Sequence, residues 1–458
     1  MPDLDALSRE ELYALIRAQA AQIRHLAAQV ADLTARVQAA EERAAQAEQK
    51  AKAPRTKANV PVREDRGPRQ ARAQGAARRR DVATHTVTHA ADTCPDCGHA
   101  LTGGSEHRRR QVIDLPVTPA TITDHIILAR WCGVCAKRVL PALTPADFGV
   151  VGHHRVGLRL MSTIATLAIT HRLPLAQIQA HLADQYALTL SVGELAAILQ
   201  TVAALGTAER DRLLAAIRQS PVVHGDETGW REAGQHGWLW LLRTGDTCVI
   251  THDASRGGAV PRALLGEDFP GVLVTDFYAA YGTVICRRQR CWVHLLRDLD
   301  ALQAAHPADV GVRRWVRQVR ALYAAARQIV ARPGYADRPE AARIAVRQRC
   351  EAMALRLAAP HLDRDVPQRV LAKRLRDFQT ELFVFVEDPA VPAHNNDAER
   401  AFRPAVIARK ISGGTRSAHG STTRATLMSL LTTCRLRDLS PRAALTRLLL
   451  GQSMFATA

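Results

Sequence analysis

Aromatic residues are scarce in this 458-residue chain: Phe, Trp and Tyr together make up 4% of it. Any core must therefore be built from Leu, Ala, Val and Ile, and an apolar content of 47% supplies enough of them for a globular protein. Long apolar runs are missing as well. No stretch of about 18 such residues occurs and no N-terminal signal segment is evident, so a membrane span and secretion are both unexpected and the protein reads as cytoplasmic. Acidic residues fall short of basic ones, 44 against 62, leaving a formal net charge of +18. Such a field attracts polyanions, nucleic acid first. The nine cysteines form two close pairs and five singles, an odd total that argues against a secreted disulfide framework. At the usual domain size the length predicts two to four units.

From Leu12 to Ala44 apolar residues recur at heptad spacing, with Ile16, Ile23, Val30 and Val37 on one seam position and Leu12, Leu26 and Leu33 on the other; Gln19 interrupts the seam. Branched residues at the first position with Leu at the second favour a parallel two-stranded coil, hence a dimerisation arm. One amphipathic helix packed on its own chain would give the same stripe. Between residues 50 and 80 eleven Lys and Arg, including Arg78, Arg79 and Arg80, face only Glu64 and Asp65, a net of +9. With Pro54, Pro61 and Pro68 and little apolar content, this stretch is expected to stay disordered until it meets DNA phosphates, or to serve merely as a solvated linker.

Cys94-Pro95-Asp96-Cys97 and Cys132-Gly133-Val134-Cys135 are two CxxC knuckles, each able to offer two thiolates to one tetrahedral zinc ion. Strands at Val112–Leu115 and Thr121–Trp131 would span the 34 residues between them and fold a zinc ribbon. A redox pair is the competing reading, but one redox motif does not need a second knuckle. The other cysteines, Cys248, Cys286, Cys291, Cys350 and Cys434, read as buried thiols. Next come two helical stretches, Leu175–Tyr186 and Val192–Ala204, with Ser191 placed to cap the second; they suit a DNA-reading helix-turn-helix or any other packed helix pair.

From Pro221 the pattern turns to strands. Val222–Asp226 is a short apolar strand ending in an acid, Gly237–Arg243 and Cys248–His252 read as a hairpin turning at Thr244–Thr247, and Gly271–Asp276 is a second strand ending in an acid. Helical periodicity runs from Cys291 to about Leu375 with a loop at Pro333–Pro339, followed by a strand-like Leu382–Val386 and a last helical stretch, an α/β arrangement. Two carboxylates at the ends of apolar strands repel each other unless a cation lies between them, which is the use that two-metal nucleases make of such acids. Both could instead be helix caps or loop acids. In Asn395-Asn396-Asp397-Ala398-Glu399-Arg400, Asn396 can cap a helix and Glu399, three residues later, can close a capping box or join the two aspartates. Downstream, Arg400, Arg403, Arg409, Lys410 and Arg416 with Gly413-Gly414 make a basic, glycine-containing segment suited to phosphates.

Four segments together resemble the insertion sequence 66 family of bacterial transposases: Gly225-Asp226-Glu227-Thr228, Thr275-Asp276-Phe277-Tyr278-Ala279-Ala280-Tyr281, Cys291-Trp292-Val293-His294-Leu295-Leu296-Arg297-Asp298 and Asn395-Asn396-Asp397-Ala398-Glu399-Arg400. The resemblance implies a ribonuclease H-like catalytic domain in which Asp226, Asp276 and Glu399 are a DDE triad holding two Mg²⁺ or Mn²⁺ ions. Cys291 and His294 match a Cys-x-x-His signature placed near the active site in several DDE families, and with Asn396 they are candidate accessory residues. Relatives often carry an aspartate before the Asn-Asn pair; this chain has His394. The expected organisation is a coiled-coil arm (residues 1–50), a basic linker (51–91), a zinc-ribbon-like domain with one structural Zn²⁺ (92–145), a helical region (146–218) and the catalytic domain (219–458) with a helical insertion at about 300–375. The expected activity is cleavage at element ends and transfer of the 3′ hydroxyl to target DNA, by a homodimer or larger assembly; the resemblance adds accessory proteins of the same element as candidate partners. A silent zinc-containing DNA-binding protein and a structure-selective nuclease are the alternatives.

Overall fold

The computed structural model describes residues 81–455 except 117, 152 and 153, so the coiled-coil arm and the basic stretch with Arg78, Arg79 and Arg80 lie outside the described residues. The chain divides into two compact units, Met1–Ile113 and Asp114–Ala458. In the first, the described residues form no helix or multi-residue strand; a single bridge from Thr93 to Ala100 closes the turn that carries the first knuckle.

The second unit opens with a short hairpin, β1 (Arg130–Cys132) against β2 (Lys137–Val139), which has the second knuckle at its tip. The strands expected at Val112–Leu115 and across most of Thr121–Trp131 are absent; only the last residues of the latter enter β1. Strand propensity becomes a strand only where a neighbour takes up the backbone hydrogen bonds, and among the described residues these segments have no such neighbour.

Three helices follow: α1 (Leu158–Ile169), α2 (Leu175–Tyr186) and α3 (Val192–Arg218). Ser191 caps α3 as expected, its Oγ accepting from Glu194 N at 3.1 Å while Glu194 Oε2 accepts from Ser191 N at 2.7 Å. The helix runs well beyond Ala204 because its apolar stripe continues through Leu213 and Ile217 into the main core.

The centre is a five-stranded sheet of β3 (Val222–Glu232), β4 (Gln235–Arg243), β5 (Cys248–Asp253), β6 (Asp268–Thr275) and β7 (Ile285–Arg290), in the order β5-β4-β3-β6-β7. The β3–β4–β5 pairs are antiparallel and β3–β6–β7 parallel, a mixed sheet consistent with a ribonuclease H-like fold. Helix α4 (Ala259–Leu265) leads from β5 into β6. Ala233 and Gly234, at φ 48° and 81°, form the two-residue turn between β3 and β4. The expected turn at Thr244–Thr247 is closed by Thr244 N donating to Thr247 O at 2.9 Å.

Beyond β7, α5 (Trp292–Ala305), α6 (Val310–Val330), α7 (Glu340–Ala358) and α8 (Arg369–Asp377) build a second core, where Trp292 stacks on Tyr323 with ring centres 4.7 Å apart. The strand expected at Leu382–Val386 is instead two single helical turns, Gln379–Leu382 and Val384–Glu387. Every side chain from Leu382 to Val386 is buried, so the period-two alternation of a strand is absent. Gln289 also bonds this backbone, donating to Leu382 O at 3.1 Å and accepting from Phe385 N at 3.0 Å.

The chain ends with α9 (Asn396–Ser412), α10 (Ala418–Leu436) and α11 (Pro441–Leu449). Helix α10 lies along β5: Ser429 Oγ accepts from Ile250 N at 2.8 Å, and Thr433 Oγ1 accepts from Cys248 N and donates to Cys248 O, both at 3.1 Å. Cys248, Cys291, Cys350 and Cys434 are buried free thiols; Cys286 is partly buried.

Candidate active site

Strands β3 and β6 run parallel in register from Val222 beside Val272 to His224 beside Val274. Two residues further along each chain stand Asp226 and Asp276, which are therefore level with each other. Asp276 directly follows β6, as expected, but Asp226 lies inside β3, because β4 keeps pairing with that strand to Glu232 after β6 has turned away. The space left beyond the carboxyl end of β6 is where open α/β sheets receive ligands.

Burial first, and then the carboxylates of Glu227, Asp276 and Glu399, raise the Asp226 pKa from 3.8 to about 8. A buried carboxyl whose pKa is raised by neighbouring carboxylates in this way is suited to divalent ions, hard cations that prefer oxygen ligands. Among the described residues no three His, Cys, Asp or Glu side chains close around a single point, so the donors share a site without converging.

Glu399 sits in the first turn of α9, with its backbone N–H donating to Asn395 O at 3.3 Å. Its carboxylate accepts from Arg297 Nη2 at 3.1 Å and lies 3.7 Å from His294 Nε2. Both partners project from α5 at a spacing of three residues. Asn396 makes no side-chain hydrogen bond among the described residues; Asn395 is the N-cap, and its side chain does not cap the helix.

Asn395 instead ties the site together. It is 1% exposed; its Oδ1 meets His224 Nδ1 at 2.9 Å, its Nδ2 donates to Gly225 O at 2.7 Å, and its backbone N–H donates to Cys291 Sγ at 3.1 Å. Cys291 N in turn donates to Thr275 O at 2.8 Å. The residues just before Asp226 and Asp276, and the cap of the helix carrying Glu399, are thus joined in one buried chain of bonds. Burial lowers the His224 pKa and raises that of Cys291, so a neutral imidazole and a thiol occupy it. Sequence reasoning assigned the cap to Asn396 and missed Asn395; the doubled asparagine offered no way to choose between them.

Two arginines fix the surroundings. Arg290 is buried, bonds Glu381 at 2.6 Å and donates to Asp276 O at 2.8 Å, holding the turn that presents Asp276. Glu227 points away from Asp226 on β3, accepting from Tyr281 Oη and Arg256 Nη2, both at 2.7 Å. The Arg256 guanidinium rests 4.0 Å from the ring of Tyr278 and 4.4 Å from that of Trp238.

Of the basic residues expected at phosphates, Arg403, Lys410 and Arg416 are exposed and make no side-chain bond among the described residues, and Arg400 is exposed beside Asp397. Arg409 is a correction: it donates to Gly229 O and to Thr228 Oγ1, the latter at 3.2 Å, and so braces α9 on β3. At about 100° per residue, Arg403 and Lys410 fall on the Glu399 side of α9, whereas Arg409 turns toward the sheet.

Each knuckle is a tight turn. Gly98 N donates to Cys94 O at 2.8 Å in the first, and Cys135 N donates to Cys132 Sγ at 3.4 Å in the second. Residues Gly98 and Ala136, one past each second cysteine, are left-handed at φ 73° and 47°. Backbone amides directed at the sulfur hold the Cys94 and Cys132 thiols below their ordinary pKa.

Residues 153–423 match the model of the Transposase IS66 family, and residues 91–136 match that of the zinc-finger binding domain of transposase IS66. Two proteins of Sinorhizobium fredii (strain NBRC 101917 / NGR234) are similar. Uncharacterized protein y4jO is 30% identical over 228 residues, 49% of this chain and 57% of y4jO; Uncharacterized protein y4jD is 27% identical over 379 residues, 75% of this chain and 72% of y4jD. The y4jO match thus spans little more than half of that relative. Because the first family model covers more than half of the chain, and all three acids fall within it, the protein belongs to the IS66 family of transposases.

Proposed function

We propose that the protein cleaves DNA at the ends of its element and transfers the freed 3′ hydroxyl to target DNA, with Asp226, Asp276 and Glu399 as the catalytic acids. The observation that carries this reading is the register of β3 and β6, which sets the two aspartates level at the open end of the sheet while α9 brings Glu399 within electrostatic reach of Asp226. The three carboxylates would hold two Mg²⁺ or Mn²⁺ ions, which when bound supply charge to activate the attacking oxygen and steady the leaving one. Asn395, Cys291 and Arg290 keep the acids in place. Arg403 and Lys410, spaced along α9 from Glu399, and Arg400 and Arg416 hold the DNA backbone. In the first reaction a water oxygen bonds to phosphorus and the P–O3′ bond breaks. In the second, the freed 3′ hydroxyl attacks a target phosphorus and displaces that strand's 3′ oxygen. The Cys94, Cys97, Cys132 and Cys135 thiolates would together bind one structural Zn²⁺. Residues 1–50 would pair two copies, and residues 51–80, with Arg78, Arg79 and Arg80, would add phosphate contacts.

The test is incubation of the purified full-length protein with its flanking element DNA and Mg²⁺, scoring 3′-end nicks and joined products. Nicks followed by joining support the transposase reading. Nicks without joining would make it a nuclease, and binding without nicks a silent DNA-binding protein. Removing residues 1–50 should lower the oligomeric state.

A further inference from the structure

Arg424 on α10 is a cation with no assigned partner. Its Nε is sealed from solvent without a hydrogen bond, and the side chain forms no ion pair among the described residues. Its closest described interaction is with the face of Trp230, 5.3 Å from the guanidinium carbon. Burial alone lowers its pKa from 12.5 to about 10, with no carboxylate near enough to offset the effect. A half-buried guanidinium whose Nε is sealed from water without a counter-charge is costly, and an arriving anion removes part of that cost.

The surroundings suit such an anion. Trp230 Nε1 donates to Thr415 Oγ1 at 3.0 Å, and Thr415 Oγ1 meets Ser421 Oγ at 2.5 Å, so strand, loop and helix share one wall. The loop is fastened to the end of β3 by Thr415 N donating to Arg231 O at 2.9 Å and Ala233 N donating to Thr415 O at 2.8 Å. A side chain at Gly414 would collide with the Arg231 carbonyl, so this close approach requires glycine. It leaves Arg231 and Arg416 exposed on either side of the junction, neither with a side-chain partner among the described residues. Asp226, Thr228 and Trp230 alternate onto one face of β3, the face that meets Arg409 of α9. Trp230 is four residues past Asp226, about 13 Å along the strand. That separation is within the reach of a DNA strand whose reacting phosphate is at Asp226.

We propose that Arg424, seated on Trp230 and flanked by Arg231 and Arg416, is a binding site for a DNA phosphodiester on the strand held at the three acids. It rests on the DNA-processing reading above and adds an anchor a few nucleotides from the reacting bond. The family match ends at residue 423, one position short of this arginine.

The experiment uses the full-length Asp226→Asn protein, which leaves DNA uncut, and measures affinity for an element-end duplex across a range of salt concentrations. Arg424→Met should weaken binding about five- to ten-fold and reduce the slope of log affinity against log salt by about one, while Arg424→Lys should keep the slope. The thermal midpoint of Arg424→Met should equal or exceed that of its parent, since a buried uncompensated charge has gone. An unchanged salt slope in a folded Arg424→Met protein would overturn the site. So would a lowered midpoint that Arg424→Lys restores without change in the slope, which would make Arg424 a packing cation on Trp230. A parent that binds no DNA at any salt would overturn the DNA-processing reading itself.

Discussion

Residues 120–143 and the β3–β5 hairpins are comparably rich in large apolar side chains, yet they end in opposite environments. Ile122, Ile126 and Trp131 are 86%, 82% and 67% exposed, while Trp240, Leu241 and Ile250 are 2% or less. The hairpins have continuous partners, so every inward side chain meets another and the backbone is satisfied strand to strand. Around the second knuckle the only pairing is the three-residue β1–β2 ladder. A region so short of core is of the kind that a cross-linking ligand stabilises in small metal domains. The sheet needs no such support, so loss of the proposed zinc and loss of the proposed catalytic ions should act on separate regions.

Substitution of the three acids should have the largest effect and sharpen that separation. Asp226→Asn, Asp276→Asn and Glu399→Gln should each reduce cleavage by about a thousand-fold or more while DNA affinity stays within a few-fold, since chemistry loses more than docking does. A variant that cleaves near-normally with Mg²⁺ removes its residue from the triad. Next comes the knuckle region: Cys97→Ser or Cys132→Ser should lose the single zinc, and residues 92–136 should become protease-sensitive while the sheet stays resistant. Elemental analysis and limited proteolysis read both. A zinc-free wild type, or a sheet digested along with the knuckles, would break the comparison.

Asn395→Ala should act at an intermediate level, lowering cleavage about ten- to a hundred-fold with DNA affinity retained, because groups that orient ligands matter nearly as much as the ligands. It leaves His224 and the Gly225 carbonyl without partners, at a cost of about 1–3 kcal/mol in chemical denaturation. Unaltered cleavage at unaltered stability would show that the acids hold their places without it. The last effect leaves the reaction aside and is one of pH on stability. Folding raises the Asp226 pKa from 3.8 to about 8, so in metal-free protein its unfavourable contribution to stability grows as pH rises through that window and levels off above it. Asp226→Asn should therefore raise the thermal midpoint at pH 8, by roughly 2–4 °C for each kcal/mol relieved, and give no gain at pH 4. Saturating Mg²⁺ should narrow the difference, and equal gains at both pH values would contradict the cause assigned to the shift.

Much of this was legible from local pattern. The boundaries of α2, the Ser191 cap, the Thr244–Thr247 turn and the loop after α6 match expectation, because each depends on neighbours in the chain. The level aspartates were legible only as two strands with terminal acids, and their register needed the sheet. The polar half of β3, Glu227–Glu232, was illegible because β4 supplies its pairing and the intervening turn is Ala-Gly, without an asparagine or aspartate to signal it. Leu382–Val386 misled because uniform apolarity fits a buried strand and a buried helical turn equally well. Arg409 was read for its charge, whereas its direction on α9 decides its use.

The hydroxyls of Ser429 and Thr433 carry a consequence wherever copies of this chain come close together. By bonding the outward backbone of β5 at Ile250 and Cys248, they occupy groups to which a strand of another copy could add. A bare outer strand at high local concentration templates open-ended polymerisation of sheets. With this margin sealed from within its own chain, copies at high local concentration are kept from fusing through β5.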